Sequence, residues 1–122
     1  MKKSLLFCLS LATLLLNFAP DSHASERRCG WLQNPTPANW WLVDRDGSWT
    51  ISTQGGRSAR GMERIPDLSQ GEYVTTNGSY GYACVCMDVA ANPKSTRITT
   101  IYRARQLPLN TCRKDPALPK EN

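Results

Sequence analysis

The sequence predicts an all-β fold: a small antiparallel barrel or sandwich of about five strands, stapled by two disulfides. Three observations carry that prediction. Asp46-Gly47 and Asn77-Gly78 each sit between runs of alternating apolar and polar side chains, the pattern of a hairpin with a two-residue turn. Little of the chain repeats with the 3.6-residue period of an amphipathic helix. Cys29, Cys84, Cys86 and Cys112 are spread across a short chain that opens on an export signal.

Residues 1–24 carry the three parts of a secretory signal peptide. Lys2 and Lys3 supply the charged start, Leu5 to Phe18 is an apolar run, and Pro20 breaks it. Ser22-His23-Ala24 then offers small residues at the two positions a signal peptidase reads. The apolar run is shorter than the roughly 20 residues of a transmembrane helix, so cleavage without membrane insertion is expected. Phe7 before Cys8 and Arg28 before Cys29 argue against lipoprotein processing. Cleavage after Ala24 removes Cys8, both phenylalanines and His23, the only histidine. A single β domain is expected over residues 25–115, with 116–122 as a flexible, proline-containing tail. Core burial alone stabilises so small a domain only marginally, which gives covalent cross-links a large role.

Cys84 and Cys86 are two apart on an expected strand and so face the same way. A bridge between them would be strained. One is expected to join Cys29 and the other Cys112, in an order the spacing leaves open. Each bridge would close a loop of tens of residues and stabilise the fold by ~2–4 kcal/mol. A four-thiolate zinc site takes two tight cysteine pairs, and the chain has one. No metal and no cofactor is expected. A Cys-Val-Cys redox pair is disfavoured, because nothing near it in sequence would lower a thiol pKa.

Along the chain, Asn34-Pro35-Thr36-Pro37 is extended, since each proline fixes its own φ and biases its predecessor. The first hairpin runs Trp40 to Arg45, turn Asp46-Gly47, then Ser48 to Thr53. Its register puts Trp40, Leu42 and Asp44 on a core face with Trp49, Ile51 and Thr53. Trp41, Val43 and Arg45 take the other face beside Ser48, Thr50 and Ser52. Gln54-Gly55-Gly56 ends this hairpin. Arg57 to Gly71 is an arginine-rich loop with room for one helical turn. The second hairpin runs Glu72 to Thr76, turn Asn77-Gly78, then Ser79 to Val89, with Tyr73 opposite Tyr82 and Thr75 opposite Tyr80. Asn92-Pro93 marks a turn, Thr96 to Ala104 a β-branched strand, and Leu107-Pro108-Leu109 leads to Cys112.

Several of these runs also resemble a known family. They are Cys29-Gly30-Trp31-Leu32, Asn34-Pro35-Thr36-Pro37, Asn39-Trp40-Trp41-Leu42, Asp44-Arg45-Asp46-Gly47, Trp49-Thr50-Ile51 and Gln54-Gly55-Gly56. Asn77-Gly78-Ser79-Tyr80-Gly81-Tyr82 with Cys84 and Cys86, and Pro108-Leu109 with Cys112-Arg113, extend the match over nearly the whole exported chain. Together they resemble the bacterial domain-of-unknown-function family 4087. The resemblance implies a small, exported, cysteine-containing protein, and it brings no catalytic residue with it.

Function follows from what the exported chain keeps. Without His23 it has no imidazole, the group most hydrolytic and zinc chemistry uses. The serines lack a base, and Gln54-Gly55-Gly56 lacks the Lys-Ser/Thr of a phosphate loop. Asp44 and Asp46 are expected to form a turn rather than an acid pair. Asn77-Gly78-Ser79 matches a glycosylation acceptor, but the turn explains it. The net charge is +5, with Arg57, Arg60 and Arg64 close together. In an exported chain this reads as a solvated face or attraction to an acidic envelope partner, not to nucleic acid. A domain without phenylalanine must build its core from Trp40, Trp49 and at least one tyrosine, which leaves Trp41 as the exposed aromatic.

The expected function is therefore a non-enzymatic binding protein of the periplasm. The leading form is an inhibitor or immunity protein against an envelope hydrolase or toxin, with a protein partner met by two rigid hairpin tips. The binding candidates are Trp41, Asp44, Arg45, Asp46, Asn77, Tyr80 and Tyr82. The alternative is a glycan- or peptidoglycan-binding module using Trp41 and the tyrosines. A histidine-free hydrolase using carboxylates ranks third.

Overall fold

A computed structural model describes residues 25–121, so the expected signal peptide lies outside the described residues. Six strands follow in order: β1 (Glu26–Thr36), β2 (Asn39–Asp44), β3 (Gly47–Ser52), β4 (Val74–Asn77), β5 (Tyr80–Asn92) and β6 (Arg97–Leu107). Two 3₁₀ turns, Met62–Arg64 and Leu68–Gln70, occupy the arginine-rich loop, and a short helix α1 (Leu109–Arg113) follows β6. The fold is mostly β, as expected. The strand absent from the sequence reading is β1. It lacks alternation because Trp31 and Leu32, side by side on opposite faces, are both buried.

The strands pair in the order β1-β2-β3-β6-β5-β4, and β1 also pairs with β5. Five strands thus close into a ring, and β4 sits outside it on β5. The sheet is mixed rather than purely antiparallel, because β3 and β6 meet in parallel at Thr50 and Arg97. The reason is topological: a closed ring with an odd number of strands cannot alternate direction throughout.

Both hairpin registers differ from expectation. In the first, Asp44 pairs with Gly47, so Arg45 and Asp46 make the turn and Gly47, at φ 132°, opens β3. The Asp44 carboxylate accepts from Asp46 N at 2.9 Å, which starts the turn one residue early. The displacement is even from Trp41 to the turn, so Leu42, Asp44, Trp49 and Ile51 still point inward. A bulge between Trp40 and Trp41 then pairs Trp40 with Ser52, so that Ser52, expected outside, is buried and Thr53, expected inside, is exposed. In the second hairpin, Tyr82 pairs with Val74 rather than Tyr73, and Tyr80 with Asn77 rather than Thr75. The one-residue slip at Tyr82 sends Tyr73 to the main core and Val74 to the cluster containing Tyr82, and a bulge between Thr75 and Asn77 widens it to two residues at Tyr80.

Two apolar clusters result. Inside the ring, Leu32, Leu42, Ile51, Val85, Val89 and Ile101 form the main core. Outside it, Trp31, Tyr82 and Cys84 pack under Leu109, Cys112 and Leu118. Strand β5 is therefore buried on both faces. The segment after α1 packs against this outer cluster: Leu118 is buried, and Trp31 Nε1 donates to the Pro119 carbonyl at 3.0 Å. The disulfides are Cys29–Cys86 and Cys84–Cys112. Cys29 and Cys86 are direct cross-strand partners, while Cys84 reaches down to α1. Both ends of the described chain are thereby tied to β5.

Candidate functional site

One end of the ring is closed by charge. Arg28 Nη1 donates to Asp44 at 2.8 Å and to Asp46 at 3.2 Å, Nη2 donates to Glu26 at 2.8 Å, and the guanidinium lies 3.7 Å from the Trp49 ring centre. Trp49 Nε1 donates to the other Asp44 oxygen at 3.0 Å. Burial opposes the charge on Arg28, but the Asp44 hydrogen bond and the surrounding carboxylates outweigh it and raise its pKa. Nothing in the sequence pattern pointed to Arg28, because Asp44, Asp46 and Trp49 reach it from the β2–β3 hairpin.

The opposite end holds a groove of about 510 Å³, lined by Asn34, Trp40, Ile65, Asp67, Ser69 and Tyr73 among others. Local chemistry positions each wall. Asn34 is buried, and its amide donates to the carbonyls of Thr36 and Asn39, shaping the β1–β2 turn. Trp40 is the first inward residue of β2, next to the β1–β2 turn, so its ring packs on the core with one side toward the groove. Asp67 caps the second 3₁₀ turn, accepting from Ser69 Oγ at 2.6 Å and Ser69 N at 3.1 Å. Those bonds hold its carboxyl below the usual range, so the rim carries an ionised group. Burial pushes the Tyr73 phenol up, and its hydroxyl donates to the Ser79 carbonyl at 3.2 Å.

The sequence candidates divide between these ends. Arg45 and Asp46 are exposed at the β2–β3 turn, beside the Arg28 cluster. Asn77 is at the other end, its amide donating to the Pro35 carbonyl at 3.4 Å. Arg28 and Pro35 are seven residues apart on β1, about 23 Å at strand rise, so one compact surface does not contain both tips. Asp44 is 5% exposed and Tyr82 4%, so neither is free to bind. Tyr82 instead meets Trp31 edge to face at 5.4 Å. Trp41 is on the outer face between Gln33 and Thr50, half-buried, and Tyr80 is half-buried.

Residues 23–119 match a family described as Protein of unknown function (DUF4087). The chain belongs to this family. No curated protein and no solved structure matches it. Within this DUF4087 domain the two disulfides point to an oxidising compartment. Among the described residues, no helix is long and apolar enough to cross a membrane, and no group of three His, Cys, Asp or Glu could hold a metal ion.

Sequence reasoning missed Trp40 and Asn34 as groove residues, and it held Tyr73 only among the tyrosines of the glycan-binding alternative. The Trp40-Trp41 doublet was the available signal, since one ring must face inward. Its position at the open end of the ring is what turns one side of that inward ring toward the groove.

Proposed function

We propose that this DUF4087 protein is an exported binding protein of the periplasm, delivered by residues 1–24, and that it acts without turnover. Its ligand is a saccharide strand of the cell envelope, held in the end groove. The observation that carries this reading is the pairing of the Trp40 and Tyr73 rings with an ionised Asp67 around one groove. Aromatic faces stack on the apolar face of a sugar ring, while a carboxylate meets its hydroxyls. Fold connectivity alone assigns no ligand, so the site carries the weight. A protein partner is the second reading, favoured by the exposed Arg45-Asp46 tip that Asp44 holds rigid.

Sedimentation with purified peptidoglycan tests the two together. The wild-type protein is expected to co-sediment and to be released by soluble muropeptide. Trp40→Ala should weaken binding by about tenfold or more, the effect of losing a central aromatic contact. Trp41→Ala should leave it unchanged. Binding lost only with Trp41→Ala would move the ligand to the outer face. Absence of co-sedimentation, with capture of one envelope protein that an Arg45→Ala, Asp46→Ala variant loses, would favour the inhibitor reading.

A further inference from the structure

The arginines of the 57–71 loop do not act as one patch. Arg64 turns to β6, where Nη1 donates to the Tyr102 carbonyl at 2.9 Å. Arg57 and Arg60 flank a separate cleft that Arg97 of β6 completes. This cleft is about 360 Å³, and Asn92, Ser95 and Thr99 add polar groups to its wall. It shares no residue with the end groove. No carboxylate lines it, and among the described residues none of its three guanidinium groups makes an ion pair.

The backbone beneath these side chains is pinned. Thr53 N donates to the Arg57 carbonyl at 3.1 Å, Arg60 N to the Thr99 carbonyl at 3.0 Å, and Ile101 N to the Arg60 carbonyl at 2.7 Å. Asn92 Oδ1 accepts from Lys94 N and Ser95 N within the β5–β6 turn, which leaves its amide N–H groups to donate elsewhere. Three like charges on a fixed frame repel one another until an anion neutralises them. Guanidinium forks match phosphate oxygens two at a time. The cleft volume is at the small end of ligand sites, suited to a compact anion rather than a protein segment.

We infer that Arg57, Arg60 and Arg97 form a binding site for a small multivalent phosphate anion, either free or carried on a headgroup. Calorimetric titration of the disulfide-bonded protein with sodium pyrophosphate tests it. Saturable binding of one anion per chain is expected. Arg57→Gln, Arg60→Gln and Arg97→Gln should each weaken it by about tenfold, the loss of one charge-assisted contact. Arg97→Lys, which keeps the charge but not the fork, should fall between. Arg103→Gln removes the same charge from the outer face of β6, away from the cleft, and should leave binding unchanged; melting curves check that every variant is folded. No saturable binding, or equal weakening by Arg103→Gln, would overturn the site. A second arm uses flotation with vesicles of phosphatidylcholine mixed with phosphatidic acid, whose phosphomonoester headgroup is multivalent. Flotation lost with Arg97→Gln would assign the phosphate to a headgroup, and pyrophosphate binding without flotation would assign a free anion. Flotation without pyrophosphate binding would reduce the cleft to general charge attraction and refute it.

Discussion

Arg28 meets three carboxylates and an indole ring from one position, and its Nε is buried without a partner among the described residues. Such a group is tolerated only while its counter-charges stay in place. Asp44→Ala should therefore lower stability by about 3 kcal/mol in urea unfolding, because it strands a largely buried guanidinium and orphans the Trp49 N–H. The exposed Arg27–Asp88 pair, at 3.3 Å, should change stability by under about 1 kcal/mol when broken. Asp67 supplies a pH test. Its folded pKa is lowered, so its contribution to stability is present above the ordinary carboxylate pKa and is lost as pH falls through the lowered folded value. NMR titration should find the Asp67 carboxyl below the usual range, and Ser69→Ala should move it back up.

Strand β5 organises the elements around it. It pairs with β1 along one edge, and β4 and β6 share the other. Its outer face needs a cover, which the C-terminal segment provides through Leu109, Cys112 and Leu118. Leu118→Ala should cost about 2 kcal/mol or more, as for other buried leucines, and should shift Trp31 fluorescence to the red by letting water reach the ring. Close backbone contact sets the place of β4. A Cβ at Gly81 would run into the Val74 carbonyl, and one at Gly30 into the Val43 carbonyl. Gly81→Ala is expected to destabilise by about 2 kcal/mol, with faster amide exchange confined to β4 and the start of β5.

At the scale of the molecule, two cross-links tie both ends of the described chain to β5, closing loops of 57 and 28 residues. Removing either pair by Cys→Ser should lower stability by about 3–4 kcal/mol, read from chemical denaturation. The sequence by itself determined the strand-rich class, the hairpin positions, the face that Cys84 and Cys86 share, and the inward placing of Leu42, Asp44, Trp49 and Ile51 in the first hairpin. These are local properties: alternation, turn chemistry and an even register shift leave the same side chains inside. Only the tertiary structure decided which cysteine pairs with which, that β1 is a full strand, and that the ring closes with one parallel contact. It also separated the two hairpin tips, buried Tyr82 and Asp44, gave Trp40 rather than Trp41 to the groove, and brought Arg97 to Arg57 and Arg60. Each of those depends on which segments meet across the ring, and long-range meetings leave no periodic trace in the residues that make them.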